Sequence, residues 1–204
     1  MFFLKKNEPR GERLSGTNLT SYLTTTYGSV GSQTKRYIVP KFTPILQQEY
    51  GGANDCTLCS ITATAAYLEN YARSFNEIYN KVEATANHYN YDPNETGTFP
   101  TYINNIIDDT FGIKSKKKYG KTIGYTWNAI CEQIDARNPV ILSMSNDGRN
   151  YYINHSVVVV GYMEYSTGAK ILCVYDNWTK TISYVDYKKL PLISCINYFV
   201  NYKG

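Results

Sequence analysis

At 204 residues the chain has room for one domain with a substantial core, or for one domain of two lobes. An apolar content of 43% and 21 tyrosines exclude a disordered or collagen-like polymer, which lacks the aromatic and β-branched residues needed to offset ordering entropy. No apolar run in the sequence approaches the roughly 20 residues that cross a bilayer. The net charge of +4, from 21 Lys and Arg against 17 Asp and Glu, leaves no broad basic footprint for nucleic acid.

Taken in order, the chain opens on Met1-Phe2-Phe3-Leu4-Lys5-Lys6, an apolar stretch too short for a secretory leader and with its charges behind it. The protein is therefore expected in the cytoplasm, or at the cell surface or outside if a leader has been removed. Residues 1–36 are polar, and Gly11, Gly16, Gly28 and Gly31 interrupt any periodicity, so they read as a surface-wrapping arm or a propeptide-like extension. A domain over 37–204 follows. It begins with a short strand at Tyr37-Ile38-Val39 before Pro40, and the Gly51-Gly52 pair leads into the first strong helix.

From Cys56 to about Tyr71 there is no Gly or Pro, and Leu58, Ile61, Ala65 and Leu68 recur at helical spacing. This nearly uncharged helix should be buried on most sides. Further helices are expected near 75–88, 100–110 and 124–136, with Pro100 in a first turn and Asn138-Pro139 closing the last. Between them Lys114, Lys116, Lys117 and Lys118 form a solvated strand or loop. After Pro139 the pattern turns to strands: PVILSMS, HSVVVVGYM, AKILCVYDNW, KTISYVDY and SCINYFVNY. Helices first and strands second make an α+β fold, with the cleft between the two parts.

The chemistry open to this chain is narrow. It has two histidines, His88 and His155, and no glycine-rich phosphate loop, so nucleotide chemistry has no support. Five cysteines, Cys56, Cys59, Cys131, Cys173 and Cys195, are too sparse for a disulfide framework and leave at least one free thiol. Cys56-x-x-Cys59 lacks the second pair of a structural zinc site, and no βαβ context makes it a redox motif. What remains is Cys, His and a carboxylate or amide. A cysteine at a helix start gains from the positive end of the dipole, which favours the nucleophilic thiolate. Asp55 as N-cap puts Cys56 first in the helix, whereas Cys59 would need Leu58 as a cap, which Leu does badly. His155 leads its strand, sharing a face with Val157, Val159 and Gly161. At the end of the next strand, alternation points Asp176 and Trp178 the same way, a carboxylate beside a bulky shield, and leaves Asn177 with little to do.

Together these pieces resemble the papain-like cysteine peptidases, in which a cysteine helix precedes a β lobe with a histidine-led strand and then Asn or Asp two residues before Trp. HSVVVVGY is close to the family's histidine motif, and NDCTLCSITATAAYL resembles the nucleophile segment of a bacterial branch that includes the bacteriocin-processing peptidases. In an alternative alignment CSITATA resembles streptopain and makes Cys59 the nucleophile. The resemblance implies an N-terminal helical lobe, a C-terminal antiparallel sheet lobe and hydrolysis of a peptide or protein substrate without metal or organic cofactor. Cys56 would attack, His155 would move the proton, and Asp176 would orient the ring. It also implies an oxyanion glutamine, here Gln48 or Gln47, with Asn54 as a substitute. A peptide-binding module without activity, or an amidase or acyl transferase with the same residues, is the alternative.

Overall fold

The computed structural model of the chain describes residues 12–50, 52–120, 125–145, 151–152 and 154–202. Met1 to Lys6, Gly11, Gly51 and position 124, each part of a reading above, lie outside them. In chain order the elements are α1 (Leu19–Tyr27), β1 (Gln33–Ile38), α2 (Cys56–Leu68), α3 (Phe75–Ala86), α4 (Ile103–Phe111), β2 (Lys116–Tyr119), α5 (Trp127–Asp135), β3 (Val140–Met144), β4 (His155–Tyr165), β5 (Lys170–Tyr175), β6 (Ser183–Asp186) and β7 (Ser194–Tyr198).

Local sequence explains most helix ends. Ser74 caps α3 by accepting from the Glu77 amide at 3.2 Å, and Thr126 caps α5 by accepting from the Ala129 amide at 3.2 Å; each satisfies one of the orphan donors of a first turn. Pro100 starts a short 3-10 turn that runs into α4, which stops at Gly112 with a left-handed φ of 66°. Helix α2 has no side-chain cap. Ten of its 13 residues are buried, so packing on all sides holds it where propensity and capping do not.

The strands form one antiparallel sheet in the order β2-β7-β3-β4-β5-β6, with β1 added against β4. Strand β4 is the spine: its first half pairs with β3, its second half with β1, and β5 runs along its other edge. Gly161 is required where β1 crosses, because a Cβ there would lie 2.6 Å from the Tyr37 carbonyl oxygen. Alternation along β5 sends Leu172 and Val174 into the main core beneath α2, and Ile171 and Cys173 into a second, smaller core on the other face, closed by Leu19 and Leu23 of α1. The helix-then-sheet order therefore holds in the main, with five of the seven strands in residues 140–198, β1 and β2 joining them from the first part, and α2 seated on β4 and β3.

One expectation needs correction, the division of the chain at residue 36. The boundary between 36 and 37 falls inside β1, and residues 19–27 form a helix, so the described part of the N-terminal segment belongs to the sheet and to its second core. Only Leu19 and Leu23 of α1 are buried, among several threonines. So thin a stripe carries no readable period, and the helix forms because the back of the sheet is there to receive it. The lysine run becomes β2, an exposed edge strand on β7, where lysines discourage pairing with another chain.

Candidate active site

The ends of two elements meet at one point. Cys56 is the first residue of α2 and His155 the first of β4, and hydroxyls bolt the two together: Thr57 Oγ1 lies 2.8 Å from Ser156 Oγ, and Ser60 Oγ donates to the Ser156 carbonyl at 3.3 Å. That register brings the Cys56 thiol and the His155 ring together, close enough for each to shift the other's titration. His155 Nε2 is committed to the main-chain carbonyl of Asp176 at 2.8 Å, which leaves Nδ1 for the thiol. Trp178 stacks on the imidazole at 4.1 Å between centroids and 26° between planes, and Tyr152 lies nearly parallel to it at 5.5 Å. The ring is thus held in one plane and largely shielded from water.

Burial pushes the Cys56 thiol up, but the His155 charge and hydrogen bond, the Ser156 amide and the Thr57 hydroxyl outweigh it, so the pKa lies below the ordinary thiol range. Burial likewise pushes His155 down, and the Cys56 thiolate together with the Asp176 carbonyl and carboxylate reverses this, so its pKa lies above the ordinary value. Stability from the thiolate is present above the unfolded thiol value of about 8.5 and falls away as pH drops through the lowered folded value. Stability from the imidazolium is complete below about 6.5 and falls away as pH rises through the raised one. The two shifts run toward each other and so favour thiolate and imidazolium together. Alkylation of the native chain by iodoacetamide should therefore keep its full rate well below pH 8.5 and show a second inflection above pH 6.5. Alkylation of the unfolded chain should follow a single thiol titration near 8.5.

Cys59 faces the other way. It is fully buried in the main core, and burial, with Asp55 and Cys56 nearby, raises its pKa strongly. Burial also raises Cys131 and Cys173, each to about 12, and Cys195. Among the cysteines only Cys56 has the environment of a nucleophile.

Asp55 stands where the sequence places it, at the N-cap with Cys56 first in α2, while the contacts of Asp176, Asn177 and Gln48 differ from the sequence reading. Asp55 occupies the N-cap position but makes no capping bond. Its buried carboxylate accepts instead from Tyr79 at 2.8 Å and from Tyr91, which ties α3 and the following loop to the start of α2. The approach is so close that a Cβ on Gly52 would sit 2.1 Å from an Asp55 oxygen.

Asp176 orients His155 through its carbonyl and not through its carboxylate. The carboxylate is fully buried and accepts from Arg13 Nε at 2.6 Å, Tyr152 at 3.0 Å, Ser183 at 3.0 Å and the amides of Trp178 at 3.1 Å and Thr179 at 3.2 Å. Alternation fails here because β5 ends at Tyr175 and Asn177 has a left-handed φ of 61°, so residues 176–179 turn instead of extending. Asn177, expected to do little, is buried, and its Nδ2 lies 3.0 Å from the Cys56 carbonyl, 2.9 Å from Ser60 Oγ and 3.1 Å from the Ser156 carbonyl. It locks helix to strand directly beneath the Cys–His pair.

Gln48 is exposed on the 3-10 turn at Gln47–Glu49. Gln47 takes the inward position at 6% exposure, with its amide N–H on the Asn177 carbonyl at 2.8 Å and its side-chain Nε2 on the carbonyls of Gly52 at 3.0 Å and Ala53 at 2.5 Å. Asn54 is turned to the Pro93 carbonyl at 3.0 Å. A polar hollow of about 450 Å³ opens beside this loop, lined by Tyr50, Gly52, Ala53, Asp55, Pro93 and Asn94. Among the described residues no three His, Cys, Asp or Glu side chains gather as a metal-binding group, and no helix is long and apolar enough to cross a membrane.

Comparison with known proteins meets this geometry from the outside. The profile of the Peptidase_C39-like family matches residues 39–202. Among solved structures, a protein assigned as a C39-like peptidase from Bacillus anthracis is similar over 83% of this chain and 100% of its own, with a TM-score of 0.55 and 15% identity. The ragweed pollen cysteine protease Amb a 11, in its proform, is similar over 93% of this chain and 75% of its own, with a TM-score of 0.44 and 16% identity. No curated protein sequence matches the chain.

Proposed function

Because this chain belongs to the Peptidase_C39-like family, we propose that it is a cysteine peptidase whose nucleophile is Cys56 and whose acid–base group is His155. The observation that carries the reading is the Cys56–His155 pair itself, in which burial opposes both charges and each partner stabilises the other's. In this reading the Cys56 proton passes to His155, and the thiolate attacks the carbonyl carbon of a peptide bond. The imidazolium then protonates the amine as the C–N bond breaks, leaving a thioester. Water, deprotonated by His155, cleaves the thioester and returns the thiol. The Asp176 carbonyl keeps Nε2 protonated and the ring fixed, the part a third group plays in such sets.

The Cys56 amide, first in α2 and so without an intrahelical acceptor, is the proposed main-chain donor to the oxyanion. Gln47, the buried glutamine beside the Gly52–Asp55 loop, is the proposed side-chain donor, its amide moving from the loop carbonyls to the substrate oxygen. Gln47→Ala should then lower kcat by about 10²- to 10³-fold, the range measured for one such donor, while Gln48→Ala should leave kcat within about twofold, since exposed side chains away from special contacts change little.

The test is labelling with an epoxysuccinyl peptide, followed by intact mass, peptide mapping and turnover of a mixed peptide library. Labelling of Cys56 with cleavage of internal peptide bonds is the expected result. Labelling without cleavage would move the chain to amide hydrolysis or acyl transfer, and no labelling at all would leave a binding module.

A further inference from the structure

The Asp176 carboxylate stands in a site whose histidine donates to the residue's carbonyl, it is fully buried, and among the described residues the cation that meets its charge is Arg13. Arg13 lies 163 residues earlier in the chain and outside the 39–202 match. Its Nε donates to Asp176 Oδ2 at 2.6 Å and its Nη2 to Thr179 Oγ1 at 2.5 Å, so one guanidinium spans both ends of the 176–179 turn. That turn supplies the two things that define the His155 ring, the carbonyl acceptor of Nε2 and the Trp178 face. Arg13 is itself held: Asn18 Nδ2 donates to its carbonyl at 2.9 Å, Ser15 donates its amide to Asn18 Oδ1 at 2.8 Å, and the Tyr184 amide of β6 donates to the Leu14 carbonyl at 3.0 Å.

We propose that Arg13 is a positioning residue of the Cys56–His155 site, and that through it the N-terminal segment is a working part of that site. Without the guanidinium the donors left to the buried carboxylate among the described residues are neutral, a situation relieved by opening the turn to water. That opening loosens the carbonyl and the ring that fix His155. The imidazolium then loses its acceptor, and the Cys56 thiolate loses its partner. Among the described residues the charged or titratable groups facing the pair are Asp176, Arg13 behind it, Tyr152, which also donates to Asp176, and the buried Cys59.

The proposal rests on the thiolate–imidazolium reading, so its test uses no substrate. Iodoacetamide alkylation of Cys56 is followed from pH 5 to 9 in the full-length chain, in Arg13→Ala, in Arg13→Lys and in Leu23→Ala, with Tm measured for each. Leu23 is a buried residue of α1 that packs into the second core, so its truncation loosens the segment without removing the guanidinium. Arg13→Ala should raise the acid limb of the profile by about one pH unit and slow alkylation at pH 6 about tenfold, since one pK unit is a tenfold change in thiolate. Arg13→Lys, which keeps the charge but cannot span Asp176 and Thr179 as a fork, should move it part of the way and serves as the readout if Arg13→Ala does not fold. Leu23→Ala should lower Tm and leave the limb where it was. Equal profiles in Arg13→Ala, Arg13→Lys and the unsubstituted chain, or a shift in Leu23→Ala as large as in Arg13→Ala, would reduce Arg13 to a structural contact. A Cys56 that reacts in the unsubstituted chain no faster than in the unfolded one would instead remove the thiolate reading, and this proposal with it.

Discussion

Cys56→Ala should abolish both fast alkylation and peptide hydrolysis, with kcat down by at least about 10⁴-fold, the order lost when the nucleophile of a cooperating set is removed. Cys59→Ala, one helical turn further on, should keep most of each. The two thiols share a helix and differ in surroundings: Cys56 begins α2 beside His155, whereas Cys59 is buried in the core near the Asp55 carboxylate. The Cys59 change should show in stability instead. Removing a buried sulfur leaves a small void and costs roughly 1–2 kcal/mol, readable as a lower urea midpoint at unchanged slope. Mapping of the alkylated peptide checks the assignment directly, because CTLC separates the two sulfurs by only two residues and fragmentation must place the label. A label on Cys59 with Cys56 unmodified would transfer the nucleophile role and bring back the streptopain-like alignment.

The sequence was informative where one residue type or one period left few choices. With two histidines in the chain and only one of them heading an apolar strand, His155 had no competitor, and a charge-free run with helical spacing made α2 plain. It was less informative wherever the answer depended on parity across a turn. Counting by twos from β5 aims the Asp176 carboxylate at His155, and the count fails two residues past Tyr175, where Asn177 turns left-handed. Likewise nothing in the pair Gln47-Gln48 says which one faces inward until the 3-10 turn at Gln47–Glu49 sets their directions. Contacts across most of the chain length, such as Arg13 on Asp176 or α1 under β5, leave no local signature at all. Each is formed by side chains whose neighbours in sequence are ordinary surface residues.

Asn177→Ala should destabilise the fold by roughly 2–4 kcal/mol, although alternation had left this residue idle. Its amide shares two hydrogens among the Cys56 carbonyl, Ser60 Oγ and the Ser156 carbonyl, and such bonds are worth about 1 kcal/mol each when buried acceptors lose their donor. Alanine also pays about 1 kcal/mol for a left-handed backbone that Asn tolerates. Asn177→Gly relieves the backbone term alone, so the difference between Gly and Ala measures strain and the remainder measures the lock. Asn177→Asp keeps the shape but replaces the donor with a carboxylate facing two carbonyl oxygens, and should be the most damaging of the three. Asp176→Ala leaves that lock intact and removes the anchor of the turn, so it should lower kcat through His155 and also cost stability, by stranding Arg13, Tyr152 and Ser183. At this chain length each kcal/mol is roughly 2–4 °C in Tm. Thermal unfolding of the four variants beside their alkylation profiles therefore separates the two neighbours. Asn177 variants should unfold early, with the Cys56 profile of the surviving native fraction little changed, because the lock joins main chains. Asp176→Ala should shift the profile even at temperatures where it is fully folded, because the carbonyl that it loosens is the one His155 uses.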